Sequence, residues 1–153
     1  MAVGGGGVSS AAGVPRIVVG VDGSSASVAA LRWAIGHAEL LGARVQAVTG
    51  YEVPWTILLT PTYTDADYAR DAEEALDRSV AEASCGSGVE VQKVLIQERP
   101  ALALTHLADG AVLLVVGSHG RGELPGMHLG SVSGYCVHHA PCPVLVHRTA
   151  VPG

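Results

Sequence analysis

Phenylalanine is absent from the 153 residues, and only 15% of them are Asp, Glu, Lys or Arg. Yet 48% of the chain is hydrophobic, so the interior must be built from Val, Leu, Ile and Ala. That is the composition of parallel strands covered by helices. Basic residues are outnumbered 9 to 14, for a formal net charge of −5. No global positive field is available to attract nucleic acid or an anionic membrane, so neither is expected as a partner. An anion bound here must be held by local geometry. Three cysteines (Cys85, Cys136 and Cys142) without a CxxC argue against both a disulfide framework and a zinc site. No HExxH or Cys/His spacing supports another metal site. No apolar run approaches a membrane span. The opening MAVGGGGVSSAAGVPR lacks a basic n-region and a continuous apolar h-region, which makes it a poor signal peptide. The cytoplasm is the expected compartment.

The length suits one domain with one substantial core. Residues 1–15 are rich in Gly, Ala and Ser and have too little apolar bulk to pack, so they read as a flexible tail. Residues 16–148 read as the folded domain, and 149–153 as a short C-terminal tail. Arg16–Val21 is expected as a first strand, apolar in the manner of strands buried on both faces. A helix capped by Ser24 or Ser25 follows, with Val28, Leu31, Ile35 and Ala38 at helical spacing and Gly42 as its stop. Arg44–Thr49 reads as a second strand, and 50–64 as a loop over one face. Asp65–Ala83 reads as an amphipathic helix presenting Ala69, Ala72, Leu76, Val80 and Ala83 on one side, with Asp65 as its cap. Strand Val89–Ile96, helix Pro100–Asp109, strand Ala111–Val116, helix Ser131–His139 and strand Val144–His147 complete the order. Trp33 and Trp55 are expected to pack rather than to stack on a base. Alternation of this kind predicts an α/β fold, a single doubly wound domain with a five-stranded parallel sheet of the flavodoxin/Rossmann type.

In such sheets ligands bind beyond the carboxyl ends of the strands, where strand order reverses. Two segments are fit to line that crevice: Gly20–Ser24 after the first strand and Gly117–Ser133 after the fourth. The glycines of the second segment let the backbone approach a ligand, and successive N–H groups can form an anion-binding concavity. Gly130-Ser131 then opens a helix, whose unpaired N–H groups and dipole favour phosphate. The hydroxyls of Ser131 and Ser133 can add donors, as can His119, and Arg121 can add a positive charge.

The spacing Gly117-x2-Gly120-x9-Gly130-Ser131 resembles the ATP-binding signature of the universal stress protein family, G-2x-G-9x-G-[S/T]. VVGVDGS at Val18–Ser24 resembles the family's first strand and acidic turn. Glu98-Arg99-Pro100-Ala101, LLVVGSHGRG and LGSVSGYCVHHAPCPVLV resemble further blocks in the same order, so the likeness covers roughly 16–148. The resemblance implies ATP as ligand, with Mg²⁺ as an optional companion ion. It implies that Val21 flanks the base and that Asp22 contacts the adenine or ribose side. Gly50 would offer backbone near the adenine, and Gly117 would lie beside the ribose. Gly120, Gly130, Ser131, Val132 and Ser133 would hold the phosphates. The chain departs from the pattern at Thr49-Gly50, where members often carry a histidine first. The resemblance also implies a homodimer formed through the last strand.

Three functional classes stay open on the sequence. One is a nucleotide-responsive regulator in the stress response, with its partner protein unidentified. Another is a slow ATP hydrolase or phosphotransferase, for which no P-loop lysine or general base is evident. The third is an interaction module that has kept only the fold.

Overall fold

The computed structural model describes residues 13–59, 62–120 and 129–149. Arg121, residues 1–12 and residues 150–153 lie outside the described residues, and with them most of the two segments expected as tails. Five parallel strands are connected by helices. They are β1 (Arg16–Gly20), β2 (Arg44–Tyr51), β3 (Val91–Gln97), β4 (Leu113–Gly117) and β5 (Val144–His147). The helices are α1 (Ser25–Leu41), α2 (Asp65–Ala83), α3 (Pro100–Leu107) and α4 (Ser131–His139). The sheet order is β3-β2-β1-β4-β5. The chain therefore builds outward from β1 in one direction, crosses over, and continues from β4 in the other.

Side-chain alternation divides the interior. Ile17, Val19, Val45, Ala47 and Val115 face one layer with α1 and α2, in contact with Leu31, Ile35, Ala38 and Leu76. Val18, Val48, Leu114 and Val116 face the other layer, with Leu104 of α3 and Cys136 of α4. Ile17, Val18 and Val19 are all fully buried because β1 is central and covered on both faces. Burial pushes the Cys136 thiol up to about 11, a proton-retaining state that makes it a packing group at neutral pH.

Local chemistry sets the boundaries. Ser24 caps α1 by accepting from the Ser27 N–H, and Gly42 closes the helix at φ 65°. Thr64, rather than Asp65, caps α2. Its hydroxyl accepts from the Asp67 N–H, while the Asp67 carboxylate accepts from the Thr64 N–H, a reciprocal capping box. Those bonds hold the Asp67 carboxyl below its ordinary range. Strand β2 runs two residues further than Thr49, since Gly50 and Tyr51 pair with Ile96 and Gln97. Strands β3 and β4 each begin two residues later than the hydrophobic runs suggest. The segment after β2 carries a short 3-10 helix, Trp55–Leu59, none of whose residues is buried. Trp33 packs on the core and stacks against His37 at 4.8 Å, whereas Trp55 is 76% exposed and packs on no core cluster. The expectation that both tryptophans pack thus holds for one of them.

Candidate functional site

Strand order reverses between β1 and β4, so the two chain directions diverge at their carboxyl ends and leave a crevice there. A cleft of about 280 Å³ occupies this place. It brings together Val21 and Asp22 from the end of β1, Gly50 from β2, and Gly117 and Gly120 from the end of β4. Gly130, Ser131, Val132 and Ser133 enter from the start of α4. Ten of the eleven residues singled out in the sequence as ligand contacts, His119 among them, therefore line one cavity; Arg121 is the one outside the described residues.

The lining of the cleft offers two kinds of surface. One is formed by the aliphatic groups of Val21, Val48, Pro100, Leu104 and Val116. The other is backbone: the Gly117–Gly120 segment and the first turn of α4. Gly130 is the N-cap of that helix and has no side chain with which to cap it. In α1, by contrast, the Ser24 hydroxyl occupies the corresponding position. The first turn of α4 thus enters the cleft lining behind an N-cap residue that carries no side chain, an arrangement suited to phosphate.

Ser118 secures this backbone surface. Its carbonyl accepts from the Gly130 N–H at 2.7 Å and from the Ser133 hydroxyl at 3.1 Å. Its own N–H donates to the His147 carbonyl at 3.0 Å, which ties the loop to β5. The Ser133 hydroxyl also lies 3.2 Å from the Gly130 carbonyl, and the residue is 2% exposed. It therefore braces the loop while remaining part of the cleft lining. Ser118 itself is not singled out by the glycine spacing. Its neighbour's glycine was the visible signal, and a buried serine beside it carries none.

Asp22 is fixed by an Asx-type turn. Its Oδ1 accepts from the Ser24 N–H at 2.9 Å and from the Ser24 hydroxyl, and its N–H approaches the Ser27 hydroxyl at 3.3 Å. A Cβ placed on Gly120 would stand 2.7 Å from Asp22 Oδ2. The carboxylate thus lies against the Gly117–Gly120 backbone segment. Gly50 belongs to a strand rather than to the loop expected from residue 50 onward, and it lines the cleft. It lies inside β2, and a Cβ there would meet the Glu98 carbonyl oxygen and the Pro100 Cα, each at 2.8 Å. The glycine allows the β3–α3 turn to fold across β2. Thr49, buried beside it, donates its hydroxyl to the Val21 carbonyl at 2.8 Å and fixes the turn after β1.

Comparison with known proteins bears on the family and the fold. The model of the universal stress protein family matches residues 13–148. The chain belongs to the universal stress protein family. Universal stress protein Rv1996 of Mycobacterium tuberculosis is 37% identical over 141 residues, covering 86% of this chain and 43% of that protein. Rv2005c of the same organism is also 37% identical, over 137 residues, covering 86% and 45%. The chain therefore spans less than half the length of these curated relatives. Among solved structures, universal stress protein UspA from Lactobacillus plantarum superposes with a TM-score of 0.74 at 25% identity, over 88% of this chain and 97% of that one. A universal stress protein in complex with cAMP superposes with a TM-score of 0.71 at 26% identity, over 89% and 98%. Among the described residues no group of three or more metal-ligating side chains converges, and no helix is long and apolar enough to cross a membrane.

Proposed function

We propose that this universal stress protein binds ATP in the β1/β4 cleft and acts as a nucleotide-responsive regulator in the stress response. The observation that carries this reading is the pairing of an aliphatic wall with a helix N-terminus whose cap residue is glycine, in one cavity. A purine ring and a phosphate chain require those two environments at opposite ends of one molecule. The solved relative in complex with cAMP supports an adenine nucleotide as the ligand class. Asp22 stands where a carboxylate can join nucleotide phosphates in holding Mg²⁺, which is commonly bound by one or two carboxylates and phosphate oxygens. Arg121, three residues after Ser118, is assigned to phosphate on the sequence alone.

Turnover is not part of the proposed role. Phosphoryl transfer needs a positioned charge and a group that orients the nucleophile. The charged side chain of the described lining is a carboxylate, Asp22, engaged by Ser24. The regulatory effect then comes from differential affinity of ATP for two conformations or two partner-bound states. Highly purified protein incubated with ATP should retain it largely intact over many binding lifetimes. Multiple turnovers per minute that disappear in Asp22→Ala would move the protein to the hydrolase class.

The cytoplasm is the proposed compartment, and a homodimer the proposed state. Strand β5 pairs with β4 on one side and ends the sheet on the other, leaving backbone groups available for a second copy. Sedimentation at micromolar concentration should report a dimer. A monomer under those conditions would contradict the assignment. Val146→Asp should shift the population to monomer, but it should also lower stability, because Val146 packs against the Val18–Leu114–Cys136 cluster. The parent protein is therefore the cleaner test.

A further inference from the structure

The aliphatic surface of the cleft has no Trp or Tyr among its described lining residues, and the lining includes Gly50 near the end of β2. Five residues beyond Gly50 the chain presents Trp55, 76% exposed, followed by Leu58 and Leu59 at 86% and 72%. Large apolar side chains so fully in water call for an occupant. The distance is short: five residues reach at most about 17 Å when extended. Trp55 belongs to neither core cluster of the described residues. The 3-10 helix is joined to the preceding segment by a bond from the Ile57 N–H to the Pro54 carbonyl at 3.0 Å. The start of the segment is held to the β3–α3 turn by an exposed Glu52–Arg99 pair at 3.7 Å. Short 3-10 turns with few buried contacts rearrange at low cost.

We propose that Trp55 is a base-stacking residue of the nucleotide site, folding over the open side of the aliphatic wall when a purine is bound. The inference rests on the adenine-nucleotide reading of the cleft. The indole would stack on the face of the base turned away from Val21, Val48 and Leu104, and the base gives the 76% exposed Trp55 an apolar contact. Stacking of a base on an aromatic side chain is commonly worth about a tenfold change in affinity or more.

The test uses the full chain in a Trp33→Phe background, which leaves Trp55 as the single tryptophan. ATP should quench and blue-shift its emission with the same midpoint that calorimetry gives for binding. Trp55→Ala in the otherwise unaltered chain should weaken ATP about tenfold with an unaltered melting temperature, since the side chain is not packed. Trp55→Phe should recover most of the loss. Unchanged ATP affinity in Trp55→Ala, with no change of emission in a parent that binds ATP, would overturn the stacking role and leave the site reading intact. Failure of the parent to bind ATP would overturn both.

Discussion

Gly130→Val is expected to remove detectable ATP binding while circular dichroism stays near that of the parent. Gly130 is buried at the start of α4 with φ −74°, so valine meets no backbone strain there. What it introduces is bulk at the point where phosphate oxygens must approach the helix N-terminus. Valine is a poor N-cap, but the penalty of about 1 kcal/mol is small against the stability of a typical domain. Ser131→Ala should be milder. It removes one hydroxyl and keeps the backbone donors, and a hydrogen bond to a charged group is worth about 1.5–3 kcal/mol. That corresponds to roughly a ten- to a hundredfold loss of affinity. Calorimetric titration of both variants ranks them. Parent-like affinity in a folded Gly130→Val protein would remove the phosphate end of the proposed site.

Gly50→Ala should cost about 1–3 kcal/mol of stability, the usual range for overpacking. Its methyl group would lie 2.8 Å from two backbone atoms of the β3–α3 turn, and backbone cannot rotate aside as a side chain can. For a domain of this size the melting temperature should fall by roughly 2–10 °C. Gly20→Ala is the matched control. There the added methyl meets Leu104 Cδ1 at 2.8 Å, the end of a flexible side chain, and the loss should be smaller. Thermal unfolding of the pair checks the order. A Gly20→Ala protein less stable than Gly50→Ala would contradict the account of why β2 carries a glycine at its end.

The fold was legible because its signals are periodic and redundant. Val18 and Val19 sit in an apolar run too dense for a half-exposed strand, and Val28, Leu31, Ile35 and Ala38 mark the buried face of α1. The glycine spacing located the cleft, since backbone that approaches a ligand excludes side chains in a fixed register. Less legible were contacts made across the fold. Nothing local distinguishes Ser133 as a brace for the Ser118 carbonyl from Ser133 as a ligand donor, because both readings use the same hydroxyl. Gly50 likewise reads as a loop residue until β3 supplies Ile96 as its partner and the following turn crosses it. Trp55 misled for a simple physical reason. Tryptophan is usually covered, and the sequence does not show that Trp55, Leu58 and Leu59 turn away from the core. The cap at Thr64 was missed by one position because both it and Asp65 are good caps; Asp67, three residues after Thr64, is the discriminating partner.

The central claim is that the β1/β4 cleft of this family member binds an adenine nucleotide. Equilibrium titration of the parent protein with ATP, followed by calorimetry, tests it most directly. The account predicts saturable binding of one ATP per chain, weakened by Ser131→Ala and lost in Gly130→Val. Absence of saturable heat up to millimolar ATP, from protein shown to be folded and free of copurified nucleotide, would contradict it.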